Sequence, residues 1–321
     1  MKISIIAPCY NAQNYIEQMI LSVQEQTYEN FELIIINDGS TDNSADIITK
    51  YKLKDCRIIL IGQKNSGKPS IARNVGIKKA TGDILCFLDS DDNMLPTKLQ
   101  EVVSAFKDNL GIAVVAHDYY CIDAQGRKLG NSIISSNWDR TDMGSLFKRQ
   151  SNYYLSVSNI YLYFLNNWIF LHVNTVSIKR DLFDSNILLF NEEMTFAEDI
   201  SKWCDLLVNN KLLFIDKPLA TYRDTPNSLM TNQLQADLAA LYFFETHLFS
   251  PLITLDILTK KSLQRKINKE LLDSLHLASA QGLSKTTFKL SMKLLKYSPL
   301  TPNILKIIKY NLSAILNKVI A

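Results

Sequence analysis

The sequence predicts an α/β fold in which a mostly parallel, doubly wound β-sheet is flanked by helices and followed by a helical extension. Two patterns lead to this prediction. Short runs of consecutive apolar residues, typical of strands buried on both faces, alternate with segments whose apolar residues recur every three or four positions, as in amphipathic helices. Polar loops follow the apolar runs, so they fall at the carboxyl ends of the strands, where sheets of this kind bind ligands.

The strands and helices alternate regularly at first, and the rhythm is lost over residues 118–172. The predicted strands are residues 3–7, 33–36, 57–61, 84–88, 112–116, 173–178 and 212–215. The helices between them are indicated by apolar positions 16, 19, 20 and 23, by 47, 48 and 51, by residues 70–80, and by 95, 99, 102, 103 and 106. From about residue 233 onward the pattern is helical, with breaks at Pro251, Pro299 and Pro302.

The composition is that of a globular protein with a sizeable core. Of the 321 residues, 47% are hydrophobic and 21% are charged, which suits one large domain, residues 1–230, and a smaller one, residues 231–321. Residues 251–321 hold 12 Lys or Arg against 3 Asp or Glu, whereas the rest of the chain holds 23 against 29. Because the lysines of this basic segment are not interleaved with stacking aromatic residues, we expect no nucleic-acid partner.

The cysteine pattern and the apolar runs indicate a cytoplasmic protein. The five cysteines form no C-x-x-C pair, which argues against a disulfide framework and against a zinc site; they are Cys9, Cys56, Cys86, Cys121 and Cys204. The first apolar run ends at Pro8 and is too short for a signal peptide, and no window of 18 apolar residues is free of charge. A reducing cytosol fits both observations.

Three carboxylates stand within four positions after the buried strand at residues 84–88. Asp89, Asp91 and Asp92 repel one another unless a cation lies among them. Hard oxygen ligands suit Mg²⁺ or Mn²⁺, which proteins often share with substrate phosphates. The sequence therefore predicts a metal and diphosphate site at this strand end. The alternative is a solvated turn in which Asp92 or Asn93 caps the next helix.

Seven motifs in order resemble those of the family 2 glycosyltransferases. They are Pro8-Cys9-Tyr10-Asn11, Asn37-Asp38-Gly39-Ser40-Thr41-Asp42, Asn65-x-Gly67, Ala72-Arg73-Asn74-x-Gly76, Gly82-Asp83, Asp89-Ser90-Asp91-Asp92 and Glu198-Asp199. The resemblance covers residues 1–230 and implies a GT-A fold, a nucleotide-sugar donor, Mn²⁺ or Mg²⁺, and inversion at the anomeric carbon. It also divides the large domain into a nucleotide-binding half, residues 1–117, and an acceptor-binding half, residues 118–230.

The resemblance assigns most of the donor site. It implies that the nucleotide sugar is bound by Pro8, Cys9, Tyr10, Asn11, Asp38, Asn65, Gly67, Arg73, Asp89, Ser90 and Arg223. A nucleobase would stack at the turn after the first strand, and Asp38 would accept a hydrogen bond from the base or the ribose. The family pattern assigns Asp89 to the ribose and Asp91 to the metal. Asp92 then supports these residues from behind or caps the next helix. The loop around Asp38 is alternatively only a turn with a capping side chain.

Two arginines are expected to bind phosphate. Arg73 lies near the start of a helix, where a guanidinium and backbone N–H groups together hold an anion; a surface ion pair is the alternative. Arg223 follows Tyr222 in a segment that resembles the one that closes over the diphosphate in this family.

Transfer with inversion needs a base for the acceptor hydroxyl. Glu198 and Asp199 match the acidic pair of the family, and we expect Asp199 to be the base, with Glu198 as the second choice. The alternative is that both acids only stabilise the amino terminus of a helix.

Aromatic residues in the irregular stretch suggest either a local core or a platform for sugar rings. They are Trp138, Tyr153, Tyr154, Tyr161, Tyr163 and Trp168. His172, just after them, is a core or surface histidine or else faces the acceptor. No Gln-x-x-Arg-Trp follows Asp199, so we expect one sugar per acceptor rather than processive synthesis.

The last helix carries apolar residues on one side and Lys306, Lys309 and Lys318 at the margins. It either packs on the preceding helices or lies on anionic lipid at the inner face of the plasma membrane. The function expected is therefore a metal-dependent hexosyl- or N-acetylhexosaminyltransferase that uses a UDP-sugar and extends a glycan, free or lipid-linked, of a surface polysaccharide or lipooligosaccharide. The alternatives are a sugar-nucleotide nucleotidyltransferase and a non-catalytic glycan-binding protein. The first would need a glycine-rich phosphate loop early in the chain, and residues 8–12 offer none.

Overall fold

A computed structural model describes the chain over most of its length. The described residues are 1–130, 132, 145–150, 153–156, 160–167, 171–183, 189–194, 197–225, 233–250 and 255–297. The chain divides into two compact units, Met1–Pro226 and Asn227–Ala321.

The first unit begins with four parallel strands, each preceded or followed by a helix. The elements are β1 (Ile3–Cys9), α1 (Ile16–Gln24), β2 (Phe31–Asn37), α2 (Ser44–Lys52), β3 (Ile58–Gly62), α3 (Pro69–Lys79) and β4 (Ile84–Phe87). The strands lie in the order β3-β2-β1-β4. The apolar side chains of β1, β2 and β4 are buried, as the uninterrupted apolar runs predict for a sheet covered on both faces, whereas those of the edge strand β3 are partly exposed.

The rest of the first unit extends this sheet with strands of both directions. The elements are β5 (Asn93–Met94), α4 (Lys98–Asp108), β6 (Val114–Ile122), β7 (Phe147–Gln150), β8 (Tyr153–Ser156), α5 (Ile160–Asn167), β9 (Val176–Lys179), α6 (Glu198–Leu207) and β10 (Leu212–Arg223). The order continues as β4-β9-β6-β10-β8-β7, with β5 paired to β10.

The α/β class is confirmed, and the sheet is mixed rather than parallel beyond β4. Strand β9 is antiparallel to both neighbours, β4 and β6, whereas β6 and β10 are parallel to each other. A strand that runs parallel to the preceding one needs a crossover connection, usually a helix, which returns the chain to the end of the sheet where the first strand began. The stretch between β6 and β9 instead contains the β7–β8 hairpin and α5, so β9 enters the sheet from the opposite end.

Several element boundaries differ from the prediction. Strand β1 continues through Pro8 and Cys9, which pair with β2, so these two residues are not in a turn. Strand β10 has 12 residues instead of the expected four, because it follows β6 in parallel past an irregularity at Pro218. Residues 173–175 form a 3₁₀ turn before β9 rather than its first residues.

The prediction that Asp92 or Asn93 caps a helix is wrong. Helix α4 starts at Lys98, and its amino-terminal flanking residue is Thr97. Asn93 instead belongs to β5, where it pairs with Thr221 of β10. The chain after β4 is therefore held against β10, and the buried carboxylate of Asp92 is used inside the fold.

The aromatic residues of the irregular stretch that are described contribute to the fold. Tyr153 lies on β8 and Tyr161 on α5, and both are buried, which supports the local core. Trp138 and Trp168 lie outside the described residues.

The described part of the second unit is helical, as predicted for the carboxyl end. Its helices are α7 (Gln233–Leu248), α8 (Ile257–Ala280) and α9 (Ser284–Tyr297). Asp256 caps α8 by accepting a hydrogen bond from the Thr259 N–H at 2.8 Å. Among the described helices, none is long and apolar enough to cross a membrane. The last predicted helix, with Lys306, Lys309 and Lys318, lies outside the described residues.

Candidate functional site

The loops after β1 and β2 are held together by side chains of the predicted donor site. The Asn11 amide oxygen accepts from the Thr41 N–H at 2.8 Å, and the Asn11 N–H donates to Ser40 Oγ at 3.0 Å. Asn11 has a φ of +48°, a conformation that asparagine tolerates better than most residues. Next to it the Tyr10 ring is 50% exposed, so it is available to a stacking partner.

The Asp38 carboxylate, at the end of β2, organises the loop after β3. It accepts from Gln63 Nε2 at 2.5 Å, and from the Ser66 N–H and hydroxyl at 3.0 and 2.9 Å. In the same loop the Gly67 N–H donates to the Asn65 side chain at 2.6 Å. Asp38 is thus buried and largely engaged by the protein, and its contact with a nucleotide stays a prediction.

Arg73 joins the end of β4 to the start of α6. Its guanidinium donates to Asp89 Oδ1 at 2.7 Å and to Glu198 Oε1 at 2.5 Å. The side chain is almost fully buried, and Nε has no hydrogen-bond partner within the described part of the chain. The surface ion pair considered for Arg73 is therefore wrong, because Arg73 is an internal link between two predicted site segments. Its binding to phosphate stays a prediction.

The carboxylates after β4 have different surroundings. Asp92 is fully buried and accepts from the Arg223 N–H and the Asn174 amide, both at 2.8 Å. Asp89 is 28% exposed and is bound by Arg73. Asp91 is half-buried and, among the described residues, receives no hydrogen bond from another side chain. Of the three, Asp91 keeps the most acceptor capacity for a ligand.

Burial and mutual repulsion disfavour the ionised forms of two of these acids. Burial, followed by the charge of Asp89, raises the pKa of Asp91 to about 6. Burial, followed by Asp91 and Asp89, raises the pKa of Asp92 well above its ordinary value. A divalent cation would relieve both effects, so the residues fit such an ion. The predicted ligand is Asp91.

A second set of atoms offers an overlapping metal site. One carboxylate oxygen each of Asp89 and Asp92 and one ring nitrogen of His172 lie within 4.8 Å of one another. His172 was considered only as a core histidine or an acceptor contact, because nothing in its local sequence indicates a place beside the carboxylates. Its ring also lies 4.6 Å from that of Tyr222 and 5.9 Å from that of Tyr119.

The acidic pair stands at the first turn of α6, and its two members differ. Ala197, just before the helix, has a φ of +56°, an uncommon conformation for a residue with a side chain. Glu198 is buried and bound to Arg73. Asp199 is half-buried and accepts from the Ile200 N–H at 2.8 Å. Burial and the charge of Glu198 raise the pKa of Asp199 to about 7, which suits a group that exchanges protons near neutral pH.

Arg223 lies at the end of β10 with its guanidinium facing the protein. It donates to the carbonyl oxygens of Asp91 at 2.8 Å and of Asp123 at 3.2 Å, and to Gln18 Oε1 at 3.0 Å. It is almost fully buried. These contacts favour a structural role, in which Arg223 fixes the backbone of the acidic segment, Asp89 to Asp92. Phosphate binding by Arg223 stays a prediction that requires these donors to be released.

Asn174 and Lys98 are buried beneath the acidic segment and were not recognised in the sequence. The signal for Lys98 was available, because it occupies a position on the apolar side of α4 together with Val102 and Ala105. No local pattern distinguishes Asn174, which reaches Asp92 through the tertiary fold.

The sequence profile of glycosyl transferase family 2 matches residues 4–170. An uncharacterized glycosyltransferase, EpsJ, of Bacillus subtilis is 30% identical over 76% of this chain and 70% of its own length. An uncharacterized glycosyltransferase of Rickettsia bellii is 36% identical over 69% of this chain, which spans only 29% of that relative.

Two solved structures have the same fold. TarS of S. aureus in complex with UDP-GlcNAc is 19% identical, with a TM-score of 0.62 over 99% of this chain and 89% of the other. The mannosyltransferase PcManGT of Pyrobaculum calidifontis, in complex with GDP-Man and Mn²⁺, is 14% identical. Its TM-score is 0.55, over 99% of this chain and 87% of the other. At this identity, the similarity establishes the GT-A fold.

Proposed function

The chain belongs to glycosyl transferase family 2, and on this basis we propose that it transfers one sugar from a nucleotide-sugar donor to a glycan, with inversion. The observation that carries the proposal is the buried ion-pair chain from Asp89 through Arg73 to Glu198. This run of ion pairs supports the proposal, because it links the start of α6, with Glu198 and Asp199, to the segment that follows β4. If Asp89 to Asp92 formed only a solvated turn, and if Glu198 and Asp199 only stabilised a helix end, the fold would not need a buried link between them.

In the proposed reaction the acceptor hydroxyl oxygen attacks the anomeric carbon of the donor. The bond from that carbon to the diphosphate oxygen breaks with its electron pair, and the hydroxyl proton passes to the Asp199 carboxylate. Glu198, held by Arg73, positions the first turn of α6. The raised pKa of Asp199 makes its carboxylate a stronger base than an ordinary aspartate.

We propose that Asp91 binds Mn²⁺ or Mg²⁺, with Asp89 and the half-buried Ser90 facing the donor. The ion would supply positive charge to the departing diphosphate. The unshared acceptor capacity of Asp91 and the raised pKa values of Asp91 and Asp92 support a cation here. The Mn²⁺ bound to PcManGT supports the same choice of metal.

We propose a UDP-sugar as the donor, in a hexosyl- or N-acetylhexosaminyl transfer. The complex of TarS with UDP-GlcNAc supports this choice. The exposed Tyr10 ring at the end of β1 offers a surface for the base, and the loop tied to Asp38 offers polar contacts beside it. The acceptor would be a glycan of a surface polysaccharide or lipooligosaccharide, near the ring cluster of Tyr119, His172 and Tyr222.

The assignment of Asp199 is tested by Asp199→Asn. We expect turnover to fall by about a thousandfold because the base is lost, while the affinity for UDP with Mn²⁺ changes less than twofold. The control is Asp46→Asn, an exposed aspartate on α2, which should keep wild-type turnover. The assignment is wrong if Asp199→Asn keeps turnover within tenfold of wild type, or if it loses nucleotide affinity instead.

We further propose peripheral contact with the inner face of the plasma membrane through the helical unit. The exposed side of α9 carries Phe288 and Met292, 50% and 49% exposed. Lysines flank them on the same helix at positions 285, 289, 293 and 296. An apolar strip bordered by lysines suits an anionic lipid surface, to which each basic residue near the surface contributes about 1 kcal/mol.

Vesicle flotation tests this contact. The full chain should float with phosphatidylglycerol vesicles and much less with phosphatidylcholine vesicles. Replacing Lys285 and Lys289 by Glu should abolish flotation, whereas the same change at Lys50 and Lys52, exposed on α2, should not. Equal recovery of all variants in the soluble fraction would remove the proposal.

A further inference from the structure

A buried amide side chain on α3 binds the segment that precedes α6. Asn74 Nδ2 donates to the Phe190 carbonyl oxygen at 2.9 Å, and Asn74 Oδ1 accepts from the Phe190 N–H at 2.8 Å. Nδ2 also donates to Glu192 Oε1 at 2.9 Å. Asn74 is 1% exposed. Its side chain thus pairs with the backbone of one residue as a neighbouring strand would, and its loss would leave buried backbone groups without partners.

Helix α3 has little room to move, so it can act as a fixed support for this contact. A Cβ atom at Gly76 would lie 2.5 Å from Ile6 Cγ2 and 2.8 Å from Ile36 Cδ1. The helix therefore lies directly on β1 and β2, at a distance that only glycine allows. The position of Asn74 is fixed by the sheet, and the position of Phe190 is fixed by Asn74.

The ring of Phe190 passes this constraint on to α6. It lies 5.3 Å from the ring of Phe87, on β4, and 5.9 Å from that of Trp203, on α6. All three side chains are buried, and Trp203 Nε1 donates to the Leu171 carbonyl oxygen at 3.0 Å. Close-packed rings transmit a displacement, because the interior has no space into which a ring can move.

The start of α6 is held from both sides of a strained residue. Ala197 has a φ of +56°, which costs free energy and persists only where the surroundings impose it. After Ala197, Glu198 is bound by Arg73. Before it, Phe190 is bound by Asn74, the next residue of the same helix. Two consecutive residues of α3 therefore hold the chain on the two sides of Ala197, one through charge and one through neutral hydrogen bonds.

We propose that Asn74 is a positioning residue, which fixes Phe190 and thereby sets the first turn of α6, where Asp199 stands. Asn74 acts through Phe190 and touches neither donor nor acceptor. The effect on catalysis rests on the proposed function, whereas the effect on the position of α6 does not.

The first test is the release of UDP from UDP-GlcNAc with Mn²⁺, in which water is the acceptor, by Asn74→Ala in the full chain. We expect kcat to fall about thirtyfold, because small displacements of a catalytic group cost this much. The dissociation constant of UDP, measured by calorimetry, should stay within threefold. The control is Val103→Ala, on the buried face of α4, which loses core contacts elsewhere and should keep kcat within twofold.

The second test is hydrogen exchange, which reports on the backbone without any substrate. In Asn74→Ala, peptides that cover residues 189–203 should exchange about tenfold faster than in the wild type, because the Phe190 N–H loses its acceptor. In Val103→Ala the same peptides should exchange as in the wild type. If the wild type releases no UDP, the proposed function fails while the exchange still decides whether Asn74 positions α6.

The route through Phe190 is tested by Phe190→Leu and by its combination with Asn74→Ala. We expect the combined variant to lose little more kcat than the worse of the two single variants, because both act on the same contact. If Asn74→Ala does not fold, Phe190→Leu provides the same two readouts. The proposal is overturned if the two losses multiply, if exchange at 189–203 is unchanged, or if UDP affinity falls while kcat is kept.

Discussion

Arg73 is the side chain on which the arrangement of the site depends most. It is buried and bridges Asp89 and Glu198, which come from segments far apart in the chain. Replacing one partner of a buried ion pair leaves the other charges uncompensated, which is far more costly than losing an exposed pair.

We expect Arg73→Met to lower the free energy of unfolding by about 3–5 kcal/mol because it strands two carboxylates. The control is Arg127→Met, whose side chain is 78% exposed in its pair with Asp123 and whose loss should cost less than about 1 kcal/mol. Urea unfolding of both variants measures the difference. Equal losses would contradict the internal role of Arg73.

We expect the ionisation of Asp199 to give the activity a pH dependence, since Asp199 is the proposed base. Burial and the charge of Glu198 raise its pKa to about 7, and a general base must be deprotonated to act. Activity should therefore be full above this value and fall about tenfold per pH unit as the pH decreases below it.

A profile of kcat/KM between pH 5 and pH 9 measures this dependence, with the exposed Asp46→Asn as the control that should titrate like wild type. A flat profile down to pH 5 would show that the base has the ordinary pKa of an exposed aspartate and would contradict the assignment.

The contact between the loop after β2 and the loop after β3 shapes the predicted nucleotide site. Gly39 has a φ of +72°, and a Cβ atom there would lie 2.7 Å from the Asn65 backbone nitrogen. Close approach and left-handed backbone together require glycine at this position. The loop carrying Asn65 and Gly67 is thus set by the loop carrying Asp38.

We expect Gly39→Ala to weaken UDP binding about tenfold or more, because the two loops must separate. Gly62→Ala is the control, since a Cβ atom at Gly62 meets nothing within 4 Å and its φ is not positive. Calorimetric titration of both variants with UDP and Mn²⁺ gives the comparison. Unchanged affinity in Gly39→Ala would place the nucleotide elsewhere.

The elements differ in how well local sequence predicts them. Helix α1 and strands β1, β2 and β4 follow directly from apolar patterns, because burial of one face of the helix and of both faces of the strands leaves a signal in the local sequence. The direction of β9 and the length of β10 were missed, because both depend on pairing with strands far away in the chain. The same holds for the site: its acidic residues stand in recognisable motifs, whereas Lys98, Asn174 and the inward contacts of Arg223 arise from the tertiary fold.

In the molecule as a whole, the predicted catalytic and donor-binding residues all lie in the unit Met1–Pro226. The unit Asn227–Ala321 is helical over its described residues and carries the basic segment. On the proposed assignment, we expect donor binding without the helical unit, whereas the proposed lipid contact requires it.

We expect a protein of residues 1–226 to bind UDP with Mn²⁺ within threefold of the full chain, while it no longer floats with anionic vesicles. Calorimetry and flotation on the same preparation measure both properties. A folded truncation that loses nucleotide affinity would show that the helical unit contributes to the donor site.

The most direct measurement is a thermal-shift experiment with UDP, GDP, dTDP and CMP, each with and without Mn²⁺, on the wild type, Asp91→Ala and the surface control Asp46→Ala. A ligand at 100 times its Kd stabilises a protein by about 2.7 kcal/mol, which raises the Tm by several degrees. We predict that UDP raises the Tm only with Mn²⁺, in the wild type and in Asp46→Ala but not in Asp91→Ala. A shift by UDP that persists in Asp91→Ala, or no shift with any nucleotide, would contradict a metal-dependent nucleotide-sugar transferase.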